Sequence, residues 1–340
     1  MYLLGDDFIQ AKRIEYIDTL KFVAILAVIS IHCFTLNGKA EILHFRIINF
    51  EQIFRFAVPL FLMISGSLML NKEIDLKEYL SKRLKRVCYP LLFFTVILLL
   101  FTTLQNFVLT FYWYPWMMIG VVLAIPIINK FIQYSTEREI EYYLVIFIIV
   151  TILIQIFYIF KINYSLDITF FYTPVSYLIL GYYLFNKNSN YSSKKIIILC
   201  IFLFIISTLF KIALGNYFYY SHNFNTHLDL GLFQIIQVSS VFLFFKTIYS
   251  EKNNIAYKIL NQGLIKKFIL SVSKSSYGMF FIQHLLILYY IRLQLMTLSL
   301  TGTESMIITL ILIPVVFLVS WILTAIMGKI PILKEFSGYH

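Results

Sequence analysis

Five ionisable side chains stand inside apolar runs of this sequence: Lys21, His32, Arg55, Lys274 and His284. A charged group in hydrocarbon costs about 2.5–3.5 kcal/mol on insertion scales, so each needs a partner or a task. A histidine in a partly dry site is a candidate general base for a hydroxyl. An arginine beside it could stabilise a developing oxyanion, or hold the imidazole through an acceptor. Each residue also has a plainer use. Lys21 could reach water at a membrane face, with Asp18 three residues earlier as its partner. His32 could be a neutral imidazole bonded to a neighbouring helix, and His284 could be structural. Arg55 keeps its proton, so its burial requires a fixed acceptor or a wet cavity.

The elements that must position these groups follow from composition. Of 340 residues, 60% are hydrophobic and only 13% charged, against about 25% charged in a soluble domain. So little polar surface cannot cover a water-soluble globule. The chain reads as an all-α, polytopic membrane protein, with residues 1–340 forming one membrane domain. Its net charge of +11 is dispersed between apolar runs, which speaks against a nucleic-acid partner, and disorder fails on hydrophobicity. Cys33, Cys88 and Cys200 occur singly, which suits neither a disulfide framework nor a metal cluster. His222 and His227 with Asp229 lack a metal-ligand spacing, so no metal is expected. No phosphate-cradling glycine loop, nucleophile elbow or cysteine pair is present.

A spanning helix needs about 20 mostly apolar residues. Ten such runs lie near 17–36, 47–70, 88–110, 113–131, 142–161, 168–185, 195–214, 229–248, 268–291 and 305–327. Cytoplasmic loops collect Lys and Arg. Of the 28 basic residues, 20 fall on one side, including Lys82, Arg83, Lys85 and Arg86. The other side holds Lys39, Arg46, Lys161, Lys211 and Arg292, and three bases lie within spans. Both termini are therefore expected in the cytoplasm, with the first span as the targeting signal. At about 1.5 Å of rise per residue, His32 lies about 8 Å, Arg55 about 5 Å and His284 about 7 Å outward of the midpoints of their spans. Three titratable groups from three helices thus share one layer. Lys21 and Lys274 fall on the cytoplasmic side. Ser65-Gly66-Ser67 and Ser275-Ser276-Tyr277-Gly278 supply small residues for close helix approach, and Trp113 and Trp116 suit an aromatic belt. The loop around Asn216–Asp229 could line an opening to the outside.

These residues also form a recognisable pattern. The stretch Ile17-Asp18-Thr19-Leu20-Lys21, followed by ten residues and His32, resembles the first helix of the acyltransferase-3 family of integral membrane acyltransferases. Arg55-Phe56-Ala57-Val58-Pro59, continuing to Ser65-Gly66, is similar to the family's second-helix motif. The basic run ending at Tyr89-Pro90, Trp113-Tyr114 with Pro126, and Ser273 to His284 resemble later helices of the same family. Two features depart from it. Many members have Arg where this chain has Lys21, which lacks the planar fork for bidentate recognition. Many also attach an extracytoplasmic hydrolase-like domain that the 340 residues do not include, so the sequence resembles the short form.

The resemblance implies acyl transfer, commonly of acetyl from acetyl-CoA to a hydroxyl of a cell-envelope glycan or its lipid-linked precursor. Acyl-CoA would be a co-substrate, with no permanently bound cofactor. Partners would be the bilayer, the glycan acceptor and separate envelope glycan-assembly proteins, in the cytoplasmic membrane of a bacterium. On this expectation Lys21, with Arg83 or Arg86, steadies the nucleotide phosphates, and His32 is the base. Arg55 acts beside it, and Tyr277 and His284 orient the acceptor. The competing class is a membrane carrier or exporter of a glycan or acylated intermediate, since intramembrane ionisable groups also mark transport paths. Against it, the two halves show no matching pair of Gly/Pro-broken spans.

Overall fold

The computed structural model describes residues 13–36, 50–101, 112–160, 162, 171, 173–189, 191–222, 231–297 and 302–339. The described residues form helices: α1 (Glu15–Leu36), α2 (Ala57–Met69), α3 (Leu76–Phe101), α4 (Trp113–Tyr134), α5 (Glu137–Ile159) and α6 (Pro174–Asn186). Then follow α7 (Ser193–His222), α8 (Gly231–Ser250), the short α9 (Ile255–Leu260), α10 (Gly263–Thr297), α11 (Gly302–Met327) and α12 (Pro331–Lys334). Among the described residues no strand occurs. Backbone polar groups in hydrocarbon must be satisfied within the segment, and helices do that.

Among the described residues, seven helical stretches are long and apolar enough to cross a membrane: Glu15–Thr35, Phe50–Met69, Trp113–Tyr134, Glu137–Phe157, Ser193–Gly215, Gly231–Ser250 and Met306–Met327. They correspond to seven of the ten expected runs. The other three runs fall on helices of a different character. α3 begins with Lys77, Lys82, Arg83, Lys85 and Arg86 before its apolar part, and residues 102–110 of that run lie outside the described residues. α6 has only 13 described helical residues, and α10 is polar through Ser276 before it turns apolar. Lys39, Arg46, Lys161 and residues 223–229 of the expected outward loop also lie outside the described residues, His227 and Asp229 included, while its first half, 216–222, continues α7 as helix instead.

α1 is the central post, packed by α2, α8, α10 and α11. Two thirds of its span is buried, against about a fifth of α7 and α11, whose exposed Ile, Leu and Phe side chains suit a lipid-facing surface. α2 and α6 touch backbone to backbone. A Cβ on Gly66 would sit 1.9 Å from the Leu178 carbonyl oxygen, and one on Gly181 would sit 2.1 Å from that of Met63. The Ser67 hydroxyl donates to the Gly181 carbonyl at 3.0 Å across this contact. The small residues at 65–67 thus pack helices, as their spacing suggests.

Several lysines lie at one end of the bundle, hereafter the basic end. Lys187 pairs with Glu137 and Glu141 and Lys266 with Glu15 between helices, and Lys82 pairs with Glu78 within α3. The Lys246 amino group donates to the carbonyls of Leu184, Phe185 and Lys187, which end α6. Lys211 departs from expectation. The sequence reading counts it among loop bases, but it is fully buried between α7 and α8.

Candidate active site

Two cavities lie back to back along α1. Lys21 and His32 are eleven residues apart, about 16 Å along a helix. The first cavity, about 330 Å³, opens among α1, α2, α3, α4 and α10. Its polar wall is Lys21, Arg83, Arg86, Lys274, Ser65, Ser273, Ser276 and Tyr277, and among the described residues no carboxylate lines it. Among the described residues none of these four cations forms an ion pair. Burial, and next the like charge of Arg86, pull Arg83 below the ordinary arginine value. An anion entering here would relieve that repulsion.

The carboxy-terminal turn closes one side of this cavity. Phe336 stacks on Tyr89 and contacts Phe93, and Gly338 lines the cavity in a left-handed conformation (φ +68°). The turn seats on Gly278 of α10, where a Cβ would lie 2.0 Å from the Ser337 carbonyl oxygen. The small residue in the Ser276-Tyr277-Gly278 motif is therefore required by the close approach of another backbone.

The second cavity, about 520 Å³, lies toward the other end of α1 and is lined by His32, Thr35, Glu51, Arg55, Trp113, Thr173, Tyr177 and Gln234 among others. Arg55 pairs with Glu51 one helical turn earlier, both side chains nearly buried. A fixed acceptor or a cavity was required for Arg55, and it has Glu51 as the acceptor and a place on the cavity wall. Glu51 was not among the sequence candidates, although an acid four residues before a buried arginine is a readable ion-pair spacing.

The His32 and His284 rings meet edge to face with centroids 4.6 Å apart. His284 is fully buried and also packs against Phe280 and Tyr112. Its Nδ1 lies 2.6 Å from the Phe280 carbonyl oxygen. A carbonyl only accepts, so Nδ1 carries the proton, and in the neutral ring Nε2 is the acceptor. His284 thus stands behind His32.

Val28, Val58 and Phe280 line both cavities. A thin apolar septum is all that separates a cationic chamber from one holding an imidazole, a guanidinium and a carboxylate. Such a pair of chambers can hold an anionic donor on one side and a neutral hydroxyl on the other.

A family model described as an acyltransferase domain matches residues 14–325. The chain belongs to the acyltransferase-3 family. No curated protein and no solved structure shows a significant match. The protein is a multi-pass membrane acyltransferase, and the match covers the residues lining both cavities except Gly338.

Within this acyltransferase the expected site residues separate into groups. His32 and Arg55 share a cavity, as their common depth suggests, and Lys21, Arg83 and Arg86 share the other. Tyr277, expected beside the acceptor, lines the cationic cavity instead, and its hydroxyl donates to the Val87 carbonyl at 3.1 Å. It lies two helical turns before His284, about 10 Å lower along α10. Asp18 does not form the expected ion pair with Lys21. Arg13 grips both its oxygens at 2.6 and 2.8 Å, and the Ser273 hydroxyl donates to Oδ1 at 2.6 Å. Lys21 is thereby left facing the cavity. Lys274 is a fourth cation of that chamber that the sequence reading left without a role.

Proposed function

We propose that this acyltransferase moves an acetyl group from acetyl-CoA to a hydroxyl of a cell-envelope glycan or its lipid-linked precursor, with the septum at Val28, Val58 and Phe280 as the place of transfer. The observation that carries this reading is the juxtaposition of a cationic cavity, lined by no carboxylate among the described residues, with one holding His32 and Arg55. The reading takes the chain as one domain of ten spans with both termini cytoplasmic, in the cytoplasmic membrane of a bacterium. The basic end then faces the compartment where CoA thioesters are made.

Lys21, Arg83 and Arg86, joined by Lys274, hold the nucleotide phosphates by charge-assisted bonds. The pantetheine arm runs along α1 and brings the thioester to the septum. His32 takes the proton as the acceptor oxygen attacks the carbonyl carbon, an effect worth about 10²–10⁴-fold. Arg55, held by Glu51, faces the oxyanion as it forms. Collapse of that oxyanion breaks the carbon–sulfur bond, the CoA thiolate leaves, and the proton on His32 returns to it. His284 holds the His32 ring from behind. Acyl-CoA is a co-substrate, and separate envelope glycan-assembly proteins would supply the acceptor.

Purified protein in liposomes tests this with acetyl-CoA and envelope glycan from a strain lacking the protein. Release of CoA thiol that depends on the glycan, with an ester formed on it, is expected. Glycan movement across the bilayer without any acyl donor would instead establish a carrier.

A further inference from the structure

The helical path through Phe50–Met69 is interrupted at Arg55 and Phe56, between the helical residues 50–54 and the start of α2. The cause is Pro59, which has no N–H to close on the Arg55 carbonyl four residues earlier. Side chains from α8 fill the gap. Gln234 donates from Nε2 to the Arg55 carbonyl at 2.8 Å. Gln237 donates from Nε2 to the Gln52 carbonyl at 3.1 Å, with Ile53 at 3.4 Å, and to the Thr208 hydroxyl at 2.8 Å.

A glutamine holds such a carbonyl only while its amide is turned the right way, because its oxygen end would repel the carbonyl. Lys211 sets that orientation for both. Its amino group donates to Oε1 of Gln234 and, at 2.9 Å, to Oε1 of Gln237. Lys211, Gln234 and Gln237 are each at most 1% exposed, so no water substitutes freely for these bonds. Of the three, only Gln234 reaches the cavity of His32 and Arg55.

We propose that Lys211 is a positioning residue for Arg55: acting through Gln234 and Gln237, it fixes the backbone of the Pro59 break and so aims the guanidinium into the second cavity. The backbone consequence rests on geometry alone, whereas the catalytic consequence rests on the acyl-transfer reading.

The test uses full-length protein in lipid nanodiscs carrying Lys211→Met, Lys211→Arg or Gln234→Leu. Deuterium exchange is read over 50–60 and, as controls, over 62–69 and α10. Glycan-dependent thiol release from acetyl-CoA is measured alongside. Losing bonds to a buried cation should raise exchange at 52–58 about tenfold in Lys211→Met, leave the controls unchanged and lower kcat about tenfold at constant KM for acetyl-CoA. Gln234→Leu should match it, the double variant should be no worse, and Lys211→Arg, which keeps donors, should restore part of the loss. Unchanged exchange over 50–60, or an equal rise in every helix, would overturn the clamp. A local rise with unaltered kcat would overturn the aiming of Arg55. A wild-type protein without thiol release would refute the acyl-transfer reading while the exchange result still judged the clamp.

Discussion

The two cavities share three side chains and little else. One gathers Lys21, Arg83, Arg86 and Lys274 with no carboxylate among the described residues; the other sets one cation against one anion, Arg55 against Glu51, beside an imidazole. Unpaired positive charge that has been partly removed from water is poised for an anion and costs stability until one arrives. A neutralised pair has no such demand. It can hold direction in a low-dielectric site, which suits a group that must face charge only as it develops. The contrast separates holding a donor from handling a proton, and substitutions in the two chambers should therefore have different kinetic signatures.

The largest effect should come from His32→Gln, which keeps a polar side chain but no base of useful strength. Its kcat is expected to fall about 10²–10⁴-fold with KM for acetyl-CoA unchanged, measured as glycan-dependent thiol release. Arg55→Met comes next, with kcat down about 10²–10³-fold, as for loss of one oxyanion donor. If either variant raised donor KM instead, the division of labour between the cavities would fail. In the cationic chamber, Lys21→Met should raise donor KM about tenfold and spare kcat, as expected for one charge-assisted bond lost. Gly278→Ala should act most weakly on chemistry. Its Cβ displaces the Ser337–Gly338 turn, costing about 1–3 kcal/mol of stability by an overpacking estimate, and donor KM should rise a few-fold while His32-dependent steps stay intact. A melting curve together with donor titration separates the two effects.

How much of this was legible in the sequence depended on charge. Lys21, His32, Arg55 and His284 announce themselves because a titratable group in an apolar run is costly, and helical rise alone sorts them by depth. Tyr277 could have been sorted by the same rise, which sets it about 10 Å from the depth of His284. Glu51 escaped because it stands near the start of its span, where an acid is unremarkable. Gln234 and Gln237 carry no charge, so nothing marks them before Pro59 is seen to free the carbonyl they meet. Lys211 lies three residues from the expected end of its run and so reads as a loop base. The seat of the carboxy-terminal turn on Gly278 joins segments about sixty residues apart in sequence, and one glycine among small residues does not reveal its partner.

The central claim is that the two cavities open toward opposite faces of the membrane and that the donor enters only one of them. Thiol labelling in sealed vesicles tests this most directly, with Cys33, Cys88 and Cys200 replaced and a single cysteine placed at Ser65 or Thr35. A membrane-impermeant maleimide should reach Ser65→Cys only from the face bearing Lys82–Arg86 and Thr35→Cys only from the other, with acetyl-CoA protecting the first and not the second. Labelling of both from one face, or protection of Thr35→Cys with Ser65→Cys left open, would contradict it.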